Sequence, residues 1–253
     1  MRILLTNDDG INAPGLSVLE DIARTFTDDI WIVAPETDQS GTAHSLTLHE
    51  PMRCRDVGAQ RFAVKGTPTD CVIMGVRHLM KGKAPDLVLS GVNAGQNIAD
   101  DVTYSGTIAG AMEGTLLGVP SIALSQAYGF GQSTDVKWQT ALDLGPGIIR
   151  KCLDAGWPKE VLLNVNFPDK DAADVHKTLI TSQGKRNQGL VDIEKRMDTR
   201  GTPYYWFALD RRRSTPADGT DLKAIYDGHI SITPIGLNLT HNPTLLELNK
   251  HLN

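Results

Sequence analysis

Short apolar runs alternate with segments of helical periodicity through the first two-thirds of the chain. Ile3–Thr6, Ile30–Ala34 and Ala84–Leu89 are almost continuously apolar, which is typical of strands buried on both faces of a parallel sheet. Between the first two runs, residues 14–26 place apolar side chains at helical spacing and begin with Pro14, a favoured first helical residue. The alternation predicts an α/β fold in which helices cover both faces of a mainly parallel sheet, giving three layers.

The alternation continues beyond the middle of the chain and then changes character. Further strands are predicted at Arg61–Val64, Ser121–Leu124 and Val161–Val165, and further helices from a Thr69 or Asp70 cap toward Met80, over Thr107–Leu117 and around Trp138–Leu153. In the last third, strands without regular helices between them are predicted at Lys177–Thr181, Tyr204–Leu209 and His229–Thr233. We therefore predict a single domain over 1–253, with an α/β core at 1–180 and a strand-rich C-terminal extension and return segment at 181–253.

Charge and hydropathy argue against two classes of partner. The net charge of −5 gives no overall attraction to nucleic acid or to an anionic membrane, and the apolar runs are far too short to cross a bilayer. We interpret the charged run Asp210–Arg213 as a solvated turn, because no aromatic residue is interleaved with it. Cys54, Cys71 and Cys152 form no CxxC motif, and the N-terminus carries no secretory pattern, so we expect a reduced, cytoplasmic protein.

Polar residues gather where the predicted strands end. Asp8 and Asp9 directly follow the first strand, and two adjacent carboxylates repel each other unless a positive group lies near them. Ligands of open parallel sheets bind beyond the carboxyl ends of the strands, so the polar segments after the strands should meet on one rim. Those segments are Asn7–Gly10, Pro35–Gly41, Ser90–Asn97 and Tyr104–Thr107.

The side chains of these segments are oxygen donors that a hard divalent ion prefers. Carboxylates, hydroxyls and amides suit Mg²⁺, Mn²⁺ or Ca²⁺, whereas Zn²⁺ favours His or Cys. Such an ion would make the adjacency of Asp8 and Asp9 favourable and would keep open positions for water and a substrate oxygen. Ser105, Gly106 and Thr107 stand at a predicted helix start, where backbone N–H groups and two hydroxyls make a phosphate site.

Motifs spread over nearly the whole chain carry a family resemblance. They are ILLTNDDGINAPG, VAPETDQSG, VKGTPTDCV, PDLVLSGVNAGQN, YSGTIAGAMEG and VPSIALS, followed by NVNFP, DTRGTPYYW and TDLKAIYDGHISITPI. Together they resemble the SurE, or survival-protein-E, family of 5′/3′-nucleotidases. The resemblance implies a Rossmann-like core with a C-terminal extension exchanged between subunits, and hence a homodimer or a dimer of dimers.

The resemblance also implies a ligand set and a reaction. It assigns one divalent cation per subunit, Mg²⁺ or Mn²⁺ (with Ca²⁺ as a substitute in crystals), to Asp8, Asp9, Ser40 and Asn93. The implied activity is that of a metal-dependent 5′-nucleotidase, an acid-type phosphatase that hydrolyses nucleoside 5′- and 3′-monophosphates, with short polyphosphate as a further candidate substrate.

The mechanism expected from these assignments divides the work between two groups of residues. Asp8 or Asp9 orients or deprotonates a metal-activated water. The residues expected to hold the phosphate oxygens are Asn97, Ser105, Gly106 and Thr107.

The alternative interpretation is a phosphoaccepting, receiver-like signalling domain. Receivers also have an acidic pair near the first strand and a strand similar to PDLVL. That strand should end in a phosphoacceptor Asp, but here it continues into Ser90, Gly91, Val92 and Asn93. A dinucleotide-binding module is disfavoured because no GxGxxG follows the first strand, and a DxD phosphatase because Gly10 stands two residues after Asp8.

Overall fold

The structure, a computed structural model, describes residues 1–129, 135–187, 191–209 and 214–252. Its strands are β1 (Ile3–Thr6), β2 (Ile30–Pro35), β3 (Cys54–Gly58), β4 (Arg61–Val64), β5 (Leu87–Ala94), β6 (Ser121–Gln126), β7 (Val161–Phe167), β8 (Thr178–Ile180), β9 (Val191–Met197), β10 (Pro203–Leu209) and β11 (Ile230–Gly236). Its α-helices are α1 (Pro14–Arg24), α2 (Pro68–Met74), α3 (Gly106–Leu116), α4 (Trp138–Ala155), α5 (Asp221–Tyr226) and α6 (Asn242–Leu252). The strands and helices predicted from the sequence are all present, with shifted ends.

A nine-stranded sheet in the order β3-β4-β2-β1-β5-β6-β7-β11-β8 forms the centre of the fold. The neighbours from β4 to β7 are all parallel, whereas β3 pairs with β4 and β11 pairs with β7 in antiparallel register. The mainly parallel sheet is therefore confirmed. Its parallel part brings the carboxyl ends of β1, β2, β5 and β6 to one edge, which is where ligands of such sheets bind.

Because side chains alternate along each buried strand, the sheet packs against an apolar core on each of its two faces. In β1, Ile3 and Leu5 pack with apolar residues of α1 and α4, while Leu4 points to the opposite face and packs with residues of α2. Helix α3 packs on that opposite face as well, where Gly110 lies against Thr6 and Ser90. The three-layer α/β architecture is confirmed, and each fully buried Leu or Ile contributes about 1.5–3 kcal/mol of hydrophobic stabilisation.

Two predicted element boundaries were wrong in ways that matter for the rim. Strand β5 continues through the small polar residues to Ala94, so Asn93 lies in the last part of a strand rather than in a loop after it. Helix α2 begins at Pro68 with Thr67 as its N-cap, and Asp70 closes a capping box from the third helical position. Thr69 is not a cap, because Pro68 occupies the first helical position, where its missing N–H costs nothing.

The last third contains helices that the sequence interpretation did not include. Helix α5 starts after the N-cap Thr220, whose side chain accepts from the Lys223 N–H, and α6 is exposed along its whole length. The expectation of strands without regular helices in this part was therefore wrong. Strand β11 then returns to the main sheet between β7 and β8. The division into a core at 1–180 and an extension at 181–253 stays a prediction.

Strands β9 and β10 form a separate antiparallel hairpin with exposed aromatic side chains. Trp206 is 57% exposed and Phe207 is 79% exposed. The exchange of this hairpin between subunits stays a prediction. The charged run Asp210–Arg213, interpreted above as a solvated turn, lies outside the described residues. In the part of the chain that the structure describes, no helix has both the length and the apolarity to span a bilayer.

Candidate metal centre

Asp8 lies just past the end of β1, against the first turn of α3. It is 4% exposed, and its Oδ1 accepts a 2.5 Å hydrogen bond from the Thr107 hydroxyl. The Thr107 backbone N–H also lowers the pKa of the same carboxyl. Gly106 permits this close approach, because a Cβ on Gly106 would lie 2.7 Å from Asp8 Cβ. The positive end of the α3 dipole therefore faces the Asp8 carboxylate and stabilises its charge.

The two adjacent carboxyl groups have raised pKa values. Burial raises the pKa of Asp8 from 3.8 to about 6; the Thr107 hydrogen bond opposes this rise and the charge of Asp9 adds to it. Burial also raises the pKa of Asp9, opposed by a 3.3 Å hydrogen bond from the Ala94 N–H and reinforced by the Asp38 carboxylate. Among the described residues, the groups that set these two pKa values include no Lys, Arg or His. In the described part of the chain, the acidic pair therefore has no cationic partner.

Ser40 and Asn93 line one cavity together with Asp8 and Asp9. The Ser40 hydroxyl donates to Asp38 Oδ1 at 2.6 Å. The Asn93 amide nitrogen donates to the Gly95 carbonyl at 2.8 Å, an interaction that does not use the amide oxygen. The cavity has a volume of about 340 Å³. All four predicted metal ligands thus border the same space.

The start of α3 contacts Asp8 and also borders this cavity. Ser105 lines the cavity and caps the helix, its hydroxyl oxygen accepting from the Ile108 N–H at 3.0 Å. Gly106 and Thr107 lie against Asp8, and the Thr107 hydroxyl donates to its carboxylate. In this structure Thr107 therefore orients Asp8. A phosphate contact by Ser105, Gly106 or Thr107 stays a prediction.

Asn97, the fourth predicted phosphate contact, is held in place by hydrogen bonds to two asparagines of β7. The Asn97 N–H donates to Asn166 Oδ1 at 2.8 Å, and the Asn97 carbonyl accepts from Asn164 Nδ2 at 2.7 Å and from Asn166 Nδ2 at 3.2 Å. The Asn97 side chain donates to Ser125 Oγ at 2.9 Å. Asn164 and Asn166 are completely buried. This network sets the position of the β5–α3 connection at the cavity.

The donor set fits a hard divalent cation. Two carboxylates, a hydroxyl and an amide can all offer oxygen ligands. Asp8 is buried and Asp9 is partly buried, and neither has a cationic partner in the described part of the chain. Asn7 Oδ1, beside the pair, is also buried and has no hydrogen-bond partner among the described residues. The described part of the chain contains no group of three or more His, Cys, Asp or Glu side chains placed to hold a metal ion. The candidate ligands are therefore a mixture of neutral and charged oxygen atoms, which suit Mg²⁺ or Mn²⁺ better than Zn²⁺.

Several cavity residues were not among the predicted site residues. Arg186 binds both carboxylate oxygens of Asp101, with Nε–Oδ1 and Nη2–Oδ2 distances of 2.9 and 2.5 Å. Tyr104, Tyr128 and Tyr226 complete this part of the lining. Tyr104 stands next to Ser105 in a quoted motif, so adjacency was an available signal for it. No sequence spacing links Arg186 to Asp101, because the contact arises only from the folding of distant segments.

Fold and site together define a class: three-layer α/β proteins with an acidic, oxygen-lined ligand site beyond the carboxyl ends of parallel strands. Within that class, the chain belongs to the family described as Survival protein SurE, whose sequence pattern matches residues 3–189. The predicted family and fold are confirmed. The receiver-like alternative is not supported.

Individual relatives cover essentially the whole chain. The protein named 5′-nucleotidase SurE of Parvibaculum lavamentivorans is 59% identical over 252 residues, which are 100% of this chain and 91% of the relative. The protein of the same name from a Methylobacterium species is 62% identical over 245 residues, or 97% of each chain. The crystal structure of the SurE protein from Aquifex aeolicus superposes with a TM-score of 0.86 at 36% identity, and the match covers 100% of both chains.

Proposed function

We propose that this protein is a divalent-metal-dependent phosphomonoesterase that hydrolyses nucleoside 5′- and 3′-monophosphates, with short polyphosphate as a further candidate substrate. The observation that carries the proposal is the adjacent pair of buried Asp8 and partly buried Asp9, which has no cationic partner among the described residues and shares a cavity with Ser40 and Asn93. The names of the full-length relatives, 5′-nucleotidase SurE, support the same activity.

The proposed cofactor is one divalent cation per subunit, Mg²⁺ or Mn²⁺, held by Asp8, Asp9, Ser40 and Asn93. When bound, it supplies positive charge for the phosphate oxygens and lowers the pKa of a water molecule toward neutrality. The fit rests on the oxygen-only donor set and on the unbalanced negative charge of the two carboxylates.

The remaining roles belong to side chains of this chain. Thr107 keeps the Asp8 carboxylate in one orientation, and the Ala94 N–H does the same for Asp9. One of the two aspartates orients the attacking water or accepts its proton. The residues proposed to hold the phosphate oxygens are Asn97, Ser105, Gly106 and Thr107.

Phosphate release from AMP tests the proposal. The purified protein should release phosphate with Mn²⁺ or Mg²⁺ and stop when EDTA removes the metal. Asp9→Asn should abolish turnover and metal binding measured by calorimetry, while Asp21→Asn, a change of an exposed carboxylate on α1, should preserve both. Metal-independent turnover, or an Asp9→Asn variant as active as the parent protein, would refute the proposed site.

We also propose a homodimer, or a dimer of dimers, in the cytoplasm. The exposed aromatic face of the β9–β10 hairpin supports association, because apolar strands of this kind are covered by a partner in stable proteins. The three cysteines, Cys54, Cys71 and Cys152, suit a reducing compartment, where they would remain thiols.

A further inference from the structure

Two motifs of the sequence carry buried acidic residues that the proposed reaction does not use. Glu113 of YSGTIAGAMEG is 9% exposed, and Asp70 of VKGTPTDCV is 2% exposed. Neither side chain lines the cavity of the candidate metal centre. A buried carboxylate is costly unless a group donates to it, so each acid needs a partner. Both have partners in residues 36–53, the connection between β2 and β3 that we call the Ser40 loop.

The first contact joins the Ser40 loop to α3. His44 Nε2 lies 3.0 Å from Glu113 Oε2, where a ring N–H donates to the carboxylate. Among the described residues, His44 is the one hydrogen-bond partner of the Glu113 side chain, and the two residues are 69 positions apart in the sequence. Helix α3 is also the element whose first turn orients Asp8 through Thr107. His44 therefore fastens the loop to the helix that already fixes a candidate metal ligand.

The second contact joins the Ser40 loop to the start of α2. Asp70 accepts from the Thr47 N–H at 3.1 Å and from the Thr47 hydroxyl at 2.6 Å. The Thr67 hydroxyl donates to the Ser45 carbonyl at 2.8 Å. Thr67 and Asp70 form the capping box of α2, so the helix sets their positions. The loop is therefore fastened to two helices, which pack against each other.

Ser40 itself has no long-range contact of this kind. In the described part of the chain, its hydroxyl and its N–H both donate to Asp38, two residues earlier in the same exposed turn. On that side the backbone is held at β1, where the Gln39 N–H donates to the Asp8 carbonyl at 2.8 Å. On the other side, the next long-range side-chain contact is that of His44. The position of Ser40 at the cavity therefore depends on how the flanking backbone is held.

We propose that His44 and Thr47 are positioning residues of the metal centre, which hold Ser40 within reach of the cation by fastening the Ser40 loop to Glu113 and Asp70. This inference rests on the proposed metal site and deepens it. Ordering a backbone segment before its ligand arrives removes that entropy cost from binding. The two contacts should therefore raise the metal affinity without touching the ion, and they should do so only while Ser40 can act as a ligand.

Calorimetric Mn²⁺ titrations of the parent protein, His44→Ala, Ser40→Ala and the double variant test this dependence. His44→Ala should lower the affinity about three- to tenfold. The same change should have no further effect in the Ser40→Ala background, because the two residues act through one another. His44→Gln keeps an N–H donor and should recover most of the affinity. His49→Ala, which removes another exposed histidine of the same loop, should leave the affinity unchanged.

Hydrogen exchange of the metal-free protein gives a second readout that does not involve the ion. Peptides covering residues 41–47 should exchange faster in His44→Ala than in the parent protein, because local opening is resisted by the contacts that the variant loses. Thr47→Val, which removes the hydroxyl that donates to Asp70, should have the same effect. Peptides covering β1 and β5 should keep their protection, which distinguishes a loosened loop from general unfolding.

The outcomes separate this inference from the proposed metal site. A His44→Ala variant that binds Mn²⁺ as tightly as the parent protein, or that loses the same affinity with and without Ser40, would overturn the positioning role and leave the metal site intact. Unchanged exchange of residues 41–47 in both loop variants would do the same. A parent protein that does not bind Mn²⁺, or a Ser40→Ala variant that binds it equally well, would overturn the proposed ligand set together with this inference.

Discussion

Replacing Asp8 by Asn should stabilise the metal-free protein while removing its metal site. The pKa of Asp8 is raised by burial from 3.8 to about 6. A group whose pKa is higher in the folded state supports folding fully below its unfolded pKa and loses that support as pH rises through its folded pKa. Metal-free parent protein should therefore lose stability between about pH 4 and pH 6.

The size of this effect follows from the difference between the two pKa values. Each pKa unit corresponds to about 1.4 kcal/mol, so ionising Asp8 in the folded protein costs about 3 kcal/mol at neutral pH. Asn has nearly the shape of a protonated Asp and can still accept the Thr107 hydrogen bond through Oδ1. We therefore expect Asp8→Asn to gain up to about 3 kcal/mol at neutral pH and almost nothing near pH 4.

Urea unfolding of EDTA-treated protein across this pH range measures the difference directly. Titratable groups distant from the site contribute equally in both proteins and cancel when the two curves are subtracted, whereas the adjacent Asp9 loses the repulsion of Asp8 in the variant and adds to the difference. Asp21→Asn, at an exposed position of α1, should change stability by no more than about 0.5 kcal/mol. The reasoning fails if the stability of Asp8→Asn follows the parent curve at every pH.

Adding metal should reverse the order of stability. A ligand at a hundredfold excess over its Kd stabilises the folded state by about 2.7 kcal/mol, and Mn²⁺ should do so for the parent protein. Asp8→Asn should gain nothing from Mn²⁺ and should not release phosphate from AMP. A variant that is stabilised by Mn²⁺ as strongly as the parent protein would place the ion elsewhere.

Three further predictions concern the surroundings of the site. Thr107→Val removes the hydroxyl that binds Asp8, so calorimetry should show weaker Mn²⁺ binding. Asn166→Ala leaves the buried Asn97 N–H without its partner, which should cost about 1–3 kcal/mol in urea unfolding and raise KM for AMP more than the Kd for Mn²⁺. Trp206→Lys places a charge on the exposed aromatic hairpin, so light scattering should show a smaller assembly than the parent protein forms.

Each of these predictions has a matched control. Thr107→Ser keeps a hydroxyl and should restore most of the Mn²⁺ affinity, while unchanged affinity in Thr107→Val would contradict the role of the hydrogen bond. Asn166→Asp keeps the acceptor for the Asn97 N–H but loses the amide donor to the Asn97 carbonyl and Asn164 Oδ1, so it should retain more stability than Asn166→Ala only at a pH at which its carboxyl is protonated. Leu116→Lys changes an equally exposed apolar residue at the end of α3 and should leave assembly unaltered; an identical response would mean that the hairpin is not an interface.

The parallel core was predictable because its signals are local. A strand buried on both faces must be continuously apolar, as β1 and β2 are, and a covering helix must repeat its apolar residues every three or four positions. Strand β5 departs from this pattern, because its second half is built from small polar residues that have the composition of a turn. The pairing of Asn93 with Ser125 of β6 keeps that half extended, and this pairing is invisible in a local sequence window.

The contacts of the site likewise fall into those that the sequence could predict and those that it could not. The topology rule for strand ends, which needs only the order of elements, predicted that the polar segments after the strands meet at one edge. The family resemblance then selected Asp8, Asp9, Ser40 and Asn93 within them, and the structure places these four around one cavity. The partner of Thr107 could not be foreseen, because a hydroxyl at a helix start can face a ligand or a neighbouring carboxylate with equal chemical sense. In this structure the hydroxyl donates to Asp8 at 2.5 Å, across a separation of 99 residues in the sequence.

The position of β11 has a consequence for the order in which the sheet can form during synthesis. Strand β8 stands at the sheet edge, and β11 is its one neighbour among the described strands. Thr178–Ile180 therefore emerges from the ribosome before its partner strand, and it can pair only after Ile230–Gly236 has been made. The parallel strands from β4 to β7 are complete long before then and can carry the acidic site. During that interval the outer edge of β7 has no partner strand, so the sheet can be completed only after β11 has been translated.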